Sequence, residues 1–424
     1  MSRLKNIFGT ATFRQSSLVS SATIINGILG LAFYITTARF LGPSLFGVLG
    51  LGIAIATAVS DISDFGINAG IVRFVGKYSN KPLVANKYLK ISLKIKGVVA
   101  FSVLILGFII APFLATNIFG KPELLLPIEI AFVGVGFTLL YGFTTSALQA
   151  LQKFKEWSVI QIGTNLLRLV LIFLLFSAGA LGLVNSMLIY ILMPLAGFVF
   201  GLLLLRERFW EAKGEKGKLK ELIHFNKWVA AFIFVSAISS RLDTFISARL
   251  LTSDGLGIYS AATQLTQIVP QIAGALGTVI APKMASMTDI NKLAKYYKKV
   301  QVMVVGIAGL GLIGIPIASF VIPYLYGNKY EGAILIFVLL FIASLIFLIS
   351  IPIHNAIIYY FSYPKLFLWL SIGHFLIIFF VGWNLISTYG AIGAAFSVLI
   401  GSLFNFVVPL GWLVNKIYRN EEKK

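Results

Sequence analysis

Apolar residues run through this chain in blocks of about 20, and short polar or charged segments separate them. At a helical rise of ~1.5 Å per residue, such a block crosses a hydrocarbon core of ~30 Å. The block "SSLVSSATIINGILGLAFYITTA" at 16–38 is the first. Little strict alternation occurs within the blocks, which argues for helices rather than a porin-like barrel. The pattern predicts spans at about 16–38, 44–69, 92–114, 125–149, 158–178 and 182–205 in the first half. In the second half it predicts about 224–248, 256–280, 299–322, 332–357, 365–386 and 391–414. The first block is long for the apolar region of a signal peptide and ends in no clear small-x-small site, so it is read as a span.

Composition agrees. The chain is 58% apolar and 12% charged, whereas soluble domains carry about 25% charged residues. The expected class is an all-α polytopic membrane protein. There are no cysteines, which excludes disulfides, thiolate chemistry and cysteine metal sites.

Charge supplies a topology. With a cytoplasmic N-terminus, the inside segments carry 29 of the 35 Lys and Arg residues. Only Arg39, Lys121, Arg249 and Lys329 fall on outside loops, and Arg168 and Arg241 lie within spans. This positive-inside bias places both termini in the cytoplasm, in a multi-pass cell-membrane protein. The net charge of +20 is therefore a topology signal. A nucleic-acid partner is not expected, because no compact soluble domain exists to carry one.

The charged stretch "RERFWEAKGEKGKLKELIHFNK" divides the chain near its midpoint. It separates a six-helix bundle over 1–205, a cytoplasmic linker over 206–223, and a second bundle with a tail over 224–424. An internal repeat supports the division. "ARFLGPSLFGVL" at 38 is similar to "ARLLTSDGLGIY" at 248, and "GALGLVNSMLI" at 179 to "GAIGAAFSVLI" at 390. "FGKP" at 119 and "YGNK" at 326 keep nearly the same offset. Each half starts on the cytoplasmic side, so the two bundles are expected to be related by a pseudo-twofold along the membrane normal. Two like bundles imply alternating access.

These residues also carry a family resemblance. "ARFLGPSLFGVLGLGIAIAT" followed by "DFGINAGIVRFVGKY" resembles the opening of the polysaccharide-export flippases, within the multidrug/oligosaccharidyl-lipid/polysaccharide exporter superfamily. The matching positions are Arg39, Gly42, Pro43, Gly47, Gly66 and Arg73. "LQALQKFK" at 148–155 is similar to the family's stretch after its fourth helix. The resemblance implies a flippase that moves isoprenoid-pyrophosphate-linked glycans from the cytoplasmic to the outer leaflet. It implies membrane lipids and glycan-assembly enzymes as partners, and it is compatible with H⁺ or Na⁺ coupling. Drug-exporting relatives share the twelve-helix plan, so an ion-coupled multidrug exporter is the alternative. A membrane glycan polymerase or ligase fits less well, because such enzymes commonly carry a large outer loop and none is present here. No Walker sequence and no zinc spacing occurs. Neither catalysis nor a cofactor or metal is expected.

The candidate cavity residues are the polar ones within spans. Arg168 lies thirteen residues beyond Lys155, about 20 Å of rise, too deep to reach the inner surface. Two roles fit it: a cavity cation for a substrate phosphate, or an internal pair with an Asp such as Asp61. Arg241 and Asp243 lie two apart in span 7, and Asp243 suits either a helix contact or a coupling proton. Asp61 and Asp64 share a face; Asp61 is the cavity candidate, while Asp64 suits a tie to Arg73 or another helix. Asn26, Asn165, Gln264, Gln267 and Gln271 complete the set, the three glutamines on one stripe beside a kinking Pro270. His354 beside Asn355 is a further polar pair.

Overall fold

A computed structural model describes residues 11–205, 209–212, 217–363 and 365–421, and among these every regular element is helical. The chain opens with α1 (Ala11–Ser63), 53 residues interrupted only at Gly42, where φ is 75° and ψ 170°. That conformation is open to a residue without Cβ. Pro43 follows at the start of the resumed helix, where its missing N–H costs nothing. The helices α2 (Ile67–Lys77), α3 (Pro82–Phe113), α4 (Leu125–Ala150), α5 (Phe154–Ser177) and α6 (Leu183–Leu205) come next. After them come α7 (Lys218–Ser239), α8 (Leu242–Leu250), α9 (Ser253–Thr266), α10 (Ile268–Ala285), α11 (Ile290–Leu312) and α12 (Gly314–Tyr326). The last three are α13 (Ala333–Asn355), α14 (Lys365–Leu376) and α15 (Trp383–Glu421), the last interrupted at Gly390.

Among the described residues, eight helices are long and apolar enough to cross a membrane, or nine if α11 and α12, bent by 46°, form one span. The chain is a multi-pass all-α membrane protein. The count is lower than the twelve apolar blocks of the sequence for a physical reason. At Gly42 and Gly390 the chain turns within a single residue, so two pairs of blocks join into runs of 46 and 53 residues, while the blocks at 224–248 and 299–322 are each divided between two shorter helices, at Ser240–Arg241 and at Ile313.

The helices assemble into two compact units. The first holds Met1–Leu41 and Val48–Ile238, the second Gly42–Gly47 and Ser239–Lys424. The division falls at Ile238, later than the charged linker, because the start of α7 is built into the first unit. Leu222 is buried in its core, and Leu222 and Asn226 lie directly against Gly70 of α2. Phe209 is buried beside Phe143, ring centroids 5.6 Å apart. Lys90 and Lys153 donate to the carbonyls of Ala212 and Leu205, both at 2.7 Å. In the same unit, α4 and α6 approach closely where Gly197 faces Tyr141 and Gly201 faces Thr144. Small residues permit such an approach where lipid gives no hydrophobic drive to association.

The core of the second unit joins α10, α11, α13 and α15 around Val269, Met284, Val304 and Leu348. Its Gly42–Gly47 segment meets α9 backbone to backbone. A methyl group at Gly257 would overlap the Pro43 carbonyl, and one at Gly47 would overlap the Ser253 carbonyl.

The sequence repeat reappears in the backbone. Gly179 and Gly390, 211 apart, take φ of 63° and 62°. Gly120 and Gly327 take 65° and 95°, each followed by a short 3-10 turn, Pro122–Leu124 and Asn328–Tyr330. Gln152 and Ser362, 210 apart, are both left-handed without being glycine, at 57° and 50°. The counterpart of Gly42 is Thr252, which begins α9 differently, as an N-cap whose hydroxyl accepts from the Gly255 N–H at 3.2 Å.

Candidate functional site

The polar residues of the spans gather at three places. The first surrounds Arg168, midway along α5 in the first unit. Helical spacing puts Gln161, Asn165 and Arg168 on one side of α5. Arg168 Nη1 donates to Asn165 Oδ1 at 2.9 Å, and Asn165 Nδ2 donates to Asn26 Oδ1 of α1. One turn away, the Tyr141 hydroxyl donates to Gln161 Oε1 at 2.8 Å. The guanidinium carbon lies 4.4 Å from the Tyr190 ring centroid and 5.4 Å from that of Phe33. Arg168 is half-buried, its Nε is buried without a partner, and among the described residues no carboxylate pairs with it. An Asp61–Arg168 pair is therefore not formed; Asp61 is exposed on α1 and has its own interactions. The charge is met by two ring faces and an amide, which leaves a net cation within the span.

The second place holds Asp64, and it brings in a residue that the charge pattern counts among the cytoplasmic lysines. Asp64 follows the end of α1, where Phe65 and Gly66 turn the chain at φ 47° and 72°. Its Oδ2 accepts the Asn68 N–H at 3.1 Å and so satisfies one first-turn N–H of α2, whose N-cap is Gly66. Its Oδ1 pairs with Lys96 Nζ of α3 at 2.6 Å, and Lys96 also donates to the Leu139 carbonyl at 3.0 Å. Lys96 is 1% exposed. The signal is present in the sequence: Ser92 and Lys96 stand four apart, on one face of a helix and inside the span expected at 92–114. Arg73 is exposed and lies over Phe74, so Asp64 ties to another helix rather than to Arg73. Arg39 is exposed at the joint before Gly42.

The third place is a cavity of about 150 Å³ within the second unit, built at two helix interruptions. One break separates α7 from α8 at Ser240–Arg241. The other separates α9 from α10 at Gln267, where Pro270 in the first turn of α10 cannot supply the N–H that would continue the ladder. Arg241, Asp243, Tyr259, Gln267 and His374 line the cavity together with Ser and Thr side chains. Asp243 is buried and accepts a hydrogen bond from the Tyr259 hydroxyl. The glutamine stripe is split by the break: Gln267 reaches the cavity, Gln264 is half-buried on α9, and Gln271 is exposed on α10. His354 stands elsewhere. Its Nε2 lies 3.0 Å from the Asn405 carbonyl, and its ring meets Phe367 edge-on at 5.0 Å. Its neighbour Asn355 donates to the Ile351 carbonyl at 2.8 Å. His354 is an interhelical contact, and His374, which the sequence did not single out, is the cavity histidine.

Comparison with known proteins decides the family. The family model described as "Polysaccharide biosynthesis protein" matches residues 13–288. The chain belongs to this polysaccharide biosynthesis family. A similar relative is an uncharacterized membrane protein of Methanocaldococcus jannaschii, 24% identical over 398 residues, covering 89% of this chain and 91% of that one. Among solved structures, an inward-facing multidrug resistance MATE family transporter of the MOP superfamily aligns with a TM-score of 0.77 at 14% identity, over 96% of this chain and 99% of that one. The lipid II flippase MurJ, in an inward closed conformation, aligns with a TM-score of 0.74 at 18% identity, over 93% and 87%. A MOP superfamily transporter from Pyrococcus furiosus aligns at 0.67 and 12%, over 95% of each chain. This member of the polysaccharide biosynthesis family therefore shares its fold with the MATE transporter and the MurJ flippase.

Proposed function

We propose that this chain moves isoprenoid-pyrophosphate-linked oligosaccharide or polysaccharide units from the cytoplasmic to the outer leaflet by alternating access. Twelve spans in two six-helix bundles, over 1–205 and 224–424, would rock about a pseudo-twofold along the membrane normal, joined by the 206–223 linker. Both termini would lie in the cytoplasm, where the glycan-assembly enzymes that supply the substrate work. Two runs of 46 and 53 residues, each about twice the length of a single crossing, support the twelve-span reading. The duplicated turns at Gly179 and Gly390 support two equivalent halves.

The observation that carries the proposal is the Arg168 guanidinium in a member of the polysaccharide biosynthesis family. It sits midway along a span without a carboxylate among the described residues. A phosphate crosses hydrocarbon only with such compensation, and the planar fork of Arg suits two phosphate oxygens. The test is flipping of a lipid-linked oligosaccharide by the reconstituted protein. Arg168→Lys keeps the charge without the fork and should lose flipping in part; R168A should lose it severely. Normal flipping by folded R168A would end the assignment of Arg168. In cells, deletion should trap lipid-linked glycan on the cytoplasmic leaflet.

Ion-coupled small-molecule export is the second reading, favoured by the 0.77 alignment with a multidrug transporter. In that case the cavity at Asp243, Arg241 and His374 would be the place for H⁺ or Na⁺ coupling. Deletion would then leave lipid-linked glycans unchanged and sensitise cells to cationic compounds.

A further inference from the structure

Arg168 is held as well as placed. A guanidinium offers two faces and an edge of five N–H donors, and these are chemically separate resources. The Tyr190 ring takes up a face at 4.4 Å, and Phe33 lies on the same group at 5.4 Å. Ring faces attract the cation through their quadrupole and consume no hydrogen-bond donor. On the edge, Nη1 is engaged by Asn165 Oδ1, and Asn165 is fixed in turn by Asn26 across to α1. That leaves the side of the fork formed by Nε and Nη2. Nε is buried and, among the described residues, has no acceptor. A buried donor without a partner is unusual and marks a group awaiting one. The Nε/Nη2 side is also where a guanidinium makes two parallel bonds to a pair of oxygens on one phosphorus.

We propose that Tyr190 is a positioning residue for substrate. Its ring face, with the Asn26–Asn165 pair, fixes the guanidinium plane so that the Nε/Nη2 side is presented to a phosphate of the lipid carrier. This rests on the flippase reading and adds to it the residue that orients the contact. Tyr190 acts through its ring, not its hydroxyl. The face would serve equally in Phe and be lost in an aliphatic side chain.

The experiment measures binding of three probes to the full chain in lipid nanodiscs: undecaprenyl pyrophosphate, inorganic pyrophosphate and undecaprenol. The wild type should bind the first most tightly, the second more weakly and undecaprenol least. Y190F should bind undecaprenyl pyrophosphate as the wild type does. Tyr190→Leu and Tyr190→Met should weaken it by ~10-fold, a loss between those of an exposed and a fully desolvated cation–π contact. Their affinity for undecaprenol should be unchanged, which a merely unfolded variant would not reproduce. In an R168A background, Tyr190→Leu should cost nothing further. Equal binding by wild type, Y190L and Y190M would overturn the positioning role while leaving the flippase reading intact. Additive losses in the double variant would do the same. A wild type that binds pyrophosphate lipid no better than undecaprenol would overturn both.

Discussion

Replacing Asp64 by Asn removes the charge against which Lys96 is buried. Lys96 is 1% exposed, and among the described residues its hydrogen-bond partners are Asp64 Oδ1 at 2.6 Å and the Leu139 carbonyl at 3.0 Å. The amide oxygen of Asn can still accept the Asn68 N–H, so that hydrogen bond survives and the ionic partner alone is lost. Breaking a buried pair from one side costs about 3–5 kcal/mol, because the remaining charge stays buried and uncompensated. At about 2–4 °C per kcal/mol for a unit of this size, D64N should melt roughly 6–20 °C below wild type. K96M should fall by a similar amount. The double variant D64N/K96M should recover most of the loss, since neither charge remains. The assay is thermal unfolding of the purified protein in one detergent at one scan rate, followed by loss of the monodisperse chromatographic peak. D64N melting within about 2 °C of wild type would refute the argument, as would additive losses in the double variant.

Three further outcomes follow from the same structure. Gly257→Ala places a methyl group into the Pro43 carbonyl and should lower the melting midpoint by the equivalent of about 1–3 kcal/mol, whereas the same change at Gly274, inside a helix with open space around it, should leave the midpoint unchanged or raise it by the equivalent of up to about 1 kcal/mol; equal midpoints would contradict the close approach. A single cysteine at residue 216 should be modified from the cytoplasmic side in a chain with no other thiol; selective labelling from outside would overturn the topology. The Tyr88 hydroxyl, ahead of Lys218, holds the Glu221 carboxyl below its ordinary 4.5, so the docking it contributes is present above that value and lost as pH falls through the folded-state pKa. Hydrogen exchange over 217–223 should rise on acidification beyond the intrinsic rate, with a smaller rise in Y88F; identical profiles would remove Glu221 from the contact.

The membrane class and the long apolar helices are legible because they rest on composition and on blocks of about 20 residues, which single substitutions do not blur. The joints are less so. Nothing in "ARFLGPS" says that Gly42 alone turns the chain, and the first pair of blocks reads as two helices with a loop. Site residues divide by how their partners are encoded. Arg168, Asn165 and Asn26 stand out because each is polar in an apolar block, so they announce themselves without the fold. Tyr190 and Phe33 look like ordinary apolar residues, and only packing makes them ligands of a cation. Lys96 was hidden by its company: it is the last of seven basic residues from Arg73 onward, and only three-dimensional contact separates the buried one from the rest. His374 and His354 are equivalent as letters, and neighbouring helices decide which one faces a cavity.

The matched turns at Gly120 and Gly327, Gln152 and Ser362, and Gly179 and Gly390 bear on how much sequence change the internal repeat tolerates. What the two halves have kept in common is a set of dihedral angles; most side chains have been let go. Gln152 and Ser362 share no chemistry, yet both stand in the left-handed region. A bend stored in the backbone leaves lipid-facing and cavity-facing residues free to drift independently in each half. One side of the repeat can therefore carry an arginine held by rings and amides, and the other a buried Asp–Tyr pair, while the turns themselves stay matched. The repeat in such a chain is better sought in recurring glycines and left-handed residues than in overall identity.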